Sequence, residues 1–411
     1  MYVTRGLSLY RKDPSSLSIR PPDYAPNTGV LVITDEETEE QDSYCWGMCE
    51  YKRIKTLPFP QNKILKIVHP SEYQKPSVTK VWFLPVIGEP LSAHRYYIIR
   101  AKGQYKGKAC RSSKRADMLA CCYAEYVSDL KPRPLDYRDI YQQFEIRRYH
   151  GGGFYAKSVA YDGIPPKFLR KKGWEVRSSR WVRGQLKDAL GLDETVQASL
   201  PPPPAFPLPP QNQHAAVVIG RWYSPFVFIR EEAKLWRHMK KSLFYEITLE
   251  QYWEEIFSRE NEGGGEGDAI VVDAMVKTEE ALVYGMEPAI EVNPVLGFLC
   301  FTASNDGIGG SGARIANANL GRRVRLGLSL VVFEAMRGIQ IQRGWMESQE
   351  VDVRVERVEE VRRRRGRGNN GEWRRFGCYV LVESFLVRRM DGALILKYNF
   401  RHAHKIQCKW D

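Results

Sequence analysis

The feature that most limits the fold of this chain is its last stretch, RFGCYVLVESFLVRRMDGALILKYNFRHAHKIQCKWD. After Asp391-Gly392 the residues alternate. Leu394, Leu396, Tyr398, Phe400, His402, His404, Ile406, Cys408 and Trp410 share one parity, and Lys397, Asn399, Arg401, Lys405, Gln407 and Lys409 the other. A period of two marks a half-buried strand, and Asp-Gly between two apolar runs is the signal of a two-residue type I′ hairpin turn. The chain therefore closes in a long antiparallel hairpin.

Counting from a turn at Asp391-Gly392 pairs Met390 with Ala393. Phe400 then faces Glu383, His402 faces Leu381, and His404 faces Tyr379. Glu383 lies diagonally across from His402, within reach of a long side chain. Two readings follow. His402, His404 and Glu383 on one face supply the donors of a facial-triad iron site or a catalytic zinc site. Alternatively His402 is an interior imidazole partnering a carboxylate that would be costly to bury alone. No H-E-x-x-H signature accompanies the pair, so no catalytic residue and no cofactor is assigned.

The strongest punctuation is SLPPPPAFPLPPQNQ, residues 199–213. Prolines at this density fix φ and lack amide donors, which predicts an exposed polyproline II linker. It divides the chain into an N-terminal extension (1–24), a mostly β domain (25–198), the linker, and a domain of mixed class (214–411). In the first domain GVLVITD, ILKIVHP, KVWFLPVI and HRYYIIR read as strands, LDYRDIYQQFEI as a short helix feeding a strand, and PPKFLRKKGWEV as a brief helix or turn. In the second, AVVIGRWYSPFVFIREE reads as paired strands, and AIVVDAMV, GFLCFTA and VDVRVERV as single ones. In FYEITLEQYWEEIFSRE, Thr248 followed by Gln251 makes a capping box before a helix whose apolar face is Leu249, Tyr252, Trp253 and Ile256. Leu328, Val331, Val332, Ala335 and Ile339 predict another helix. The fold class expected is α+β, in two domains: a mostly β N-terminal domain, and an α+β C-terminal domain with an antiparallel sheet and one or two packed helices.

With 43% hydrophobic and 12% aromatic residues the chain has ample material for packed cores, and its +13 charge favours an acidic partner or nucleic acid. Arg362, Arg363, Arg364, Arg365 and Arg367 form the densest basic run, a nucleic-acid-binding candidate whose plainer reading is a solvated hairpin loop. No RNP, KH or zinc-finger pattern supports dedicated reading of bases. Gly307-x-Gly309-x-x-Gly312 follows a strand as a dinucleotide fingerprint does, but stands about ten residues ahead of the next helix, too far to cradle a pyrophosphate at its N-terminus. Cys45-x-x-x-Cys49 and Cys121-Cys122 lack C-x-x-C spacing and read as reduced thiols. No G-x-S-x-G elbow is present. No apolar run approaches the ~20 residues of a membrane-spanning helix, and no secretory signal opens the chain. The expected setting is cytoplasmic, nuclear or both.

Seven stretches in order carry a family resemblance: LPFPQNK, LSAHRYYIIRAKGQYKGKA, KPRPLDYRDIYQQFEI, PPKFLRKKGWEV, GRWYSPFVFIREE, FYEITLEQYWEEIF and FGCYVLVESFLVRRMDGALILKYNFRHAHKIQCKW. Across nearly the whole chain they resemble a plant-restricted family known as domain of unknown function twelve-sixty-two, some members of which are labelled insecticidal crystal toxin domain proteins. The resemblance implies a land-plant protein and brings no catalytic residues with it. The resulting expectation is a non-enzymatic module that binds a protein or small-molecule ligand, in stress or defence responses. The alternatives are a metal-dependent enzyme using His402, His404 and Glu383, and a basic nucleic-acid binder.

Overall fold

The computed structural model describes residues 1–20, 27–41, 43–44, 49–50, 53–70, 75–114, 118–121, 124–178, 186–202, 216–231, 234–261, 269–304, 323–345, 352–360 and 373–411. The arginine run 362–367, the glycines at 307, 309 and 312, Cys45, Cys122 and residues 203–213 of the proline-rich stretch lie outside them, as do the side chains of Cys49 and Cys121.

Strands dominate. The larger sheet runs in the order Gly29–Ile33, Tyr2–Gly6, Val217–Pro225, Phe244–Glu260, Arg375–Arg389, Leu394–Trp410, Glu279–Val283, with Gly191–Leu192 also paired to Val217–Pro225. Only the pairing of Tyr2–Gly6 with Gly29–Ile33 is parallel; the other pairings of this sheet are antiparallel. A second, seven-stranded antiparallel sheet has Ser77–Pro85 and Arg95–Arg100 near its middle. Four further strands, among them Phe298–Ala303 and Val324–Ser329, form a smaller sheet, and Ala269–Lys277 pairs with Asp352–Glu360 as a two-stranded ribbon.

The middle strands of the second sheet are apolar on both faces, as strands covered on both sides must be. Val81, Phe83, Tyr96 and Ile98 point into one core, closed by Phe59, Phe144, Phe154 and Trp174. Trp82, Leu84, Tyr97 and Ile99 point the other way, into a larger core shared with Tyr2, Trp222, Phe244, Leu328 and Val331. That larger core draws on strands from both sides of residues 199–213. The opening residues are part of it: Met1 and Tyr2 have no exposed surface, and the Tyr2 hydroxyl donates to the Pro85 carbonyl at 2.9 Å. Within residues 1–24, expected as an extension, Tyr2–Gly6 is thus an inner strand of the larger sheet. At the start of the proline-rich stretch Pro201 is buried, and its carbonyl accepts from the Trp253 indole at 2.7 Å.

The mixed class expected for the second half holds in part, for strands are abundant and helices few. The α-helix Leu330–Gln342 buries Val331, Val332, Ala335 and Ile339 as its spacing predicts, while Leu328 belongs to the preceding strand. The helix expected from FYEITLEQYWEEIFSRE is instead the strand Phe244–Glu260. Its tyrosine, tryptophan and β-branched residues favour a pleated surface, and two long neighbours, Val217–Pro225 and Arg375–Arg389, satisfy its backbone on both edges.

The terminal hairpin forms, with a different turn. Gly392 has φ +88° whereas Asp391 is not left-handed. The Arg389 amide donates to Ala393, and Gly392 donates back to Arg389. This is a type I turn followed by a left-handed glycine, the three-residue loop with a bulge. The register beyond it matches the count: Glu383 opposes Phe400 and Leu381 opposes His402. It then breaks, because Val380 pairs with Ile406 and Tyr379 with Gln407. His404, expected opposite Tyr379, falls in that irregularity.

Candidate functional site

Glu383 sits at the centre of the larger sheet. Gln251 is directly opposite on one neighbouring strand and Phe400 on the other, so their side chains share its face. The helix Leu330–Gln342 brings Gln340 over that face, Arg343 follows at its end, and the short helix Glu194–Ala198 brings Gln197. The Glu383 carboxylate accepts from Gln340 Nε2 at 2.8 Å, Gln251 Nε2 at 3.0 Å, Gln197 Nε2 at 3.3 Å and Arg343 Nη2 at 3.3 Å. Arg343 Nη2 also donates to the Gln197 carbonyl at 2.9 Å. Glu383, Gln251, Gln340 and His402 have no exposed surface at all.

Burial alone would raise the Glu383 pKa, since it disfavours a charge. The His402 imidazole, the Gln340 amide and the Arg343 guanidinium outweigh it and hold the carboxyl down at about 2. His402 Nε2 stands 3.8 Å from Glu383 Oε2, close enough for a charge to be felt and too far for a hydrogen bond. Among the described residues neither ring nitrogen of His402 has a hydrogen-bond partner, nor do Gln251 Oε1 and Gln340 Oε1.

His402 and Glu383 therefore come together, and His404 parts from them. Its ring lies 5.5 Å from that of His402 at an angle of 76°, but the side chain is exposed, beside Val353, Val355 and Arg357 of the ribbon. Both Glu383 oxygens are already taken by N–H donors, one of them cationic. Among the described residues no group of three His, Cys, Asp or Glu is placed to hold a metal ion.

A second buried ionic group had no signature in the sequence beyond a strand ending in Arg230-Glu231. The Glu231 carboxylate accepts from Arg389 Nε at 2.9 Å on both oxygens, from Tyr245 at 2.5 Å and from Tyr284 at 2.5 Å. Burial opposes the charge, but these donors bring its pKa down to about 2. The Tyr245 hydrogen is committed to Glu231, so the 2.6 Å contact between Tyr245 and His238 needs a donating His238 Nε2. Burial pushes that imidazole down to about 4. Tyr284 occupies the first corner of a tight turn with φ +51°, followed by Gly285 at +80°. A bulky residue rarely adopts that conformation, and here it aims the phenol at Glu231.

One cleft adjoins the Glu383 group through shared elements. It has a volume of about 270 Å³ and is lined by Val3, Leu9, Leu17, Leu190, Trp222 and Ile339 among others. Ile339 precedes Gln340 on the same helix, and Gly191 and Leu192 of the cleft lead into the helix that carries Gln197. Arg5 and Arg20 also line it, the first half-buried and the second exposed. Leu9, Ile19 and Leu190 are exposed there, Leu190 by 71%, which for apolar side chains of this size is expensive.

Residues 24–123 match a protein family described as Protein of unknown function (DUF1262). No curated protein matches the chain. A solved structure titled "Crystal structure of Cry35Ab1" is similar over 86% of this chain and 90% of that one, at 10% identity and a TM-score of 0.42, a likeness too loose to carry an argument. No described helix is long and apolar enough to cross a membrane.

Proposed function

We propose that this chain is a non-enzymatic binding module for a small amphiphilic ligand with an apolar body and one anionic group. The observation that carries the reading is the cleft: its wall is mostly apolar, and among the described residues two arginines are the charged groups that line it. Ligand sites have this composition, mostly apolar with a few polar groups that fix orientation. Glu383 has a different part. Enclosed and saturated with donors, it fixes Gln340, next to Ile339 of the cleft, and Gln197, on the helix that follows Gly191 and Leu192 of the cleft. A buried charge of this kind is an anchor. The wider setting we propose, a plant intracellular protein acting in stress or defence, rests on the family resemblance alone.

The test uses decanoate as probe, titrated calorimetrically, with 1-decanol as the uncharged comparator. Decanoate is expected to bind saturably and more tightly than decanol. Leu190→Glu, which places a carboxylate on an exposed wall, should abolish binding, and Arg5→Ala should weaken it by about tenfold, the worth of one charge-assisted contact. No saturable heat with decanoate, or the same affinity in both variants, overturns the reading.

A further inference from the structure

Beyond the register break in the terminal hairpin, pairing resumes with Val380 opposite Ile406, Cys378 opposite Cys408 and Phe376 opposite Trp410. The two cysteine sulfurs are 3.6 Å apart, Cys408 donating its S–H to Cys378. Directly opposed residues of antiparallel strands have Cα atoms ~4.5 or ~5.5 Å apart, and both separations fall within the range a disulfide spans. Cys378 is buried among Ile270, Val272 and Phe376, whereas Cys408 is partly exposed.

We propose that Cys378 and Cys408 form a reversible cross-strand disulfide, made by exchange with a low-molecular-weight disulfide of the glutathione type. Accessibility sets the order of events. The Cys408 thiolate attacks one sulfur of the small disulfide, breaking its S–S bond, forming a mixed disulfide on Cys408 and releasing one small thiol. Cys378, deprotonated, then attacks the Cys408 sulfur and expels the second small thiol. One S–S bond is broken and one made. The protein loses two hydrogens and two electrons, which leave as the two small thiols. The shared hydrogen bond holds Cys378 below the usual thiol range and Cys408 above it, so the first proton leaves Cys378. As Cys408 attacks, its hydrogen passes to the Cys378 sulfur 3.6 Å away, and Cys378 gives that proton up to solvent before the second exchange.

This inference does not depend on the cleft. It adds a covalent bond across the open end of the hairpin, next to Trp410, whose ring lies 4.5 Å from Phe376. The full-length protein is incubated with oxidised and reduced glutathione at graded ratios, then alkylated and mapped by peptide mass. A peptide joining Cys378 to Cys408 is expected, with loss of two hydrogens, reversed by dithiothreitol, while buried Cys110 stays alkylatable after unfolding. Cys378→Ser should instead trap one glutathione on Cys408. The oxidised wild type should also melt higher than the reduced form, and Cys408→Ser should lose that difference. If both thiols stay free at ratios that oxidise small dithiols, or if Cys378→Ser leaves Cys408 unmodified, the proposal is overturned.

Discussion

At Glu383 a charge is kept ionised by amide, guanidinium and imidazole groups rather than by solvent. Its folded value of about 2 lies below the 4.5 of a free glutamate, so the unfolded chain takes up a proton first as acid is added. The stabilisation is therefore complete above pH ~4.5 and disappears as the pH falls through ~2. Glu383→Gln should cost about 1.5–3 kcal/mol at pH 7 in urea unfolding, the worth of hydrogen bonds to a charged group, and little at pH 2; equal costs at both would remove the charge from the account. Part of this site was legible beforehand. Counting from Asp391-Gly392 put Glu383 opposite Phe400 and diagonal to His402, since register is a local consequence of turn and period. Gln197, Gln340 and Arg343 were not, because their approach depends on helices packed from distant segments. Gln251 was in plain view and was read as a helix cap. His404 was misplaced by the irregularity after Leu381, which the alternation of residue types does not reveal.

Among the elements, Phe244–Glu260 shows how one pattern serves two periods. Leu249, Tyr252, Trp253 and Ile256 fit a helical face, yet the strand uses Leu249, Gln251 and Trp253 on one face and Tyr252 on the other. Neighbours on both edges decided it, and neighbours are what local reading lacks. The hairpin turn offers a direct check. A Cβ at Gly392 would meet nothing within 4 Å, so only its left-handed φ opposes substitution. Gly392→Ala should cost about 1 kcal/mol in equilibrium unfolding without altering the near-ultraviolet dichroism of the folded state. A cost near zero would argue that the loop relaxes to another turn.

On the scale of the whole molecule, the prolines at 201–204 looked like a border because composition changes there, but the packing ignores it. Trp82, Leu84, Tyr97 and Ile99 from before the stretch and Phe244, Leu328 and Phe385 from after it line one core. The unbroken apolar run VWFL is the pattern of a strand covered on both faces, but it does not say what covers the second. A shared core predicts one cooperative transition: tryptophan fluorescence and far-ultraviolet dichroism should report the same midpoint, and fragments 1–198 and 214–411 made separately should each fail to fold. Two resolved transitions would restore the border. The parallel pairing of Tyr2–Gly6 with Gly29–Ile33 has a consequence for biogenesis. Its other flank belongs to Val217–Pro225, with Tyr2 against Tyr223. During translation Tyr2–Gly6 must wait, half-docked, until Val217–Pro225 has been made, and long-range closures of that sort are slow. The nascent chain is thus exposed to misassociation along that open strand edge until Val217–Pro225 is made.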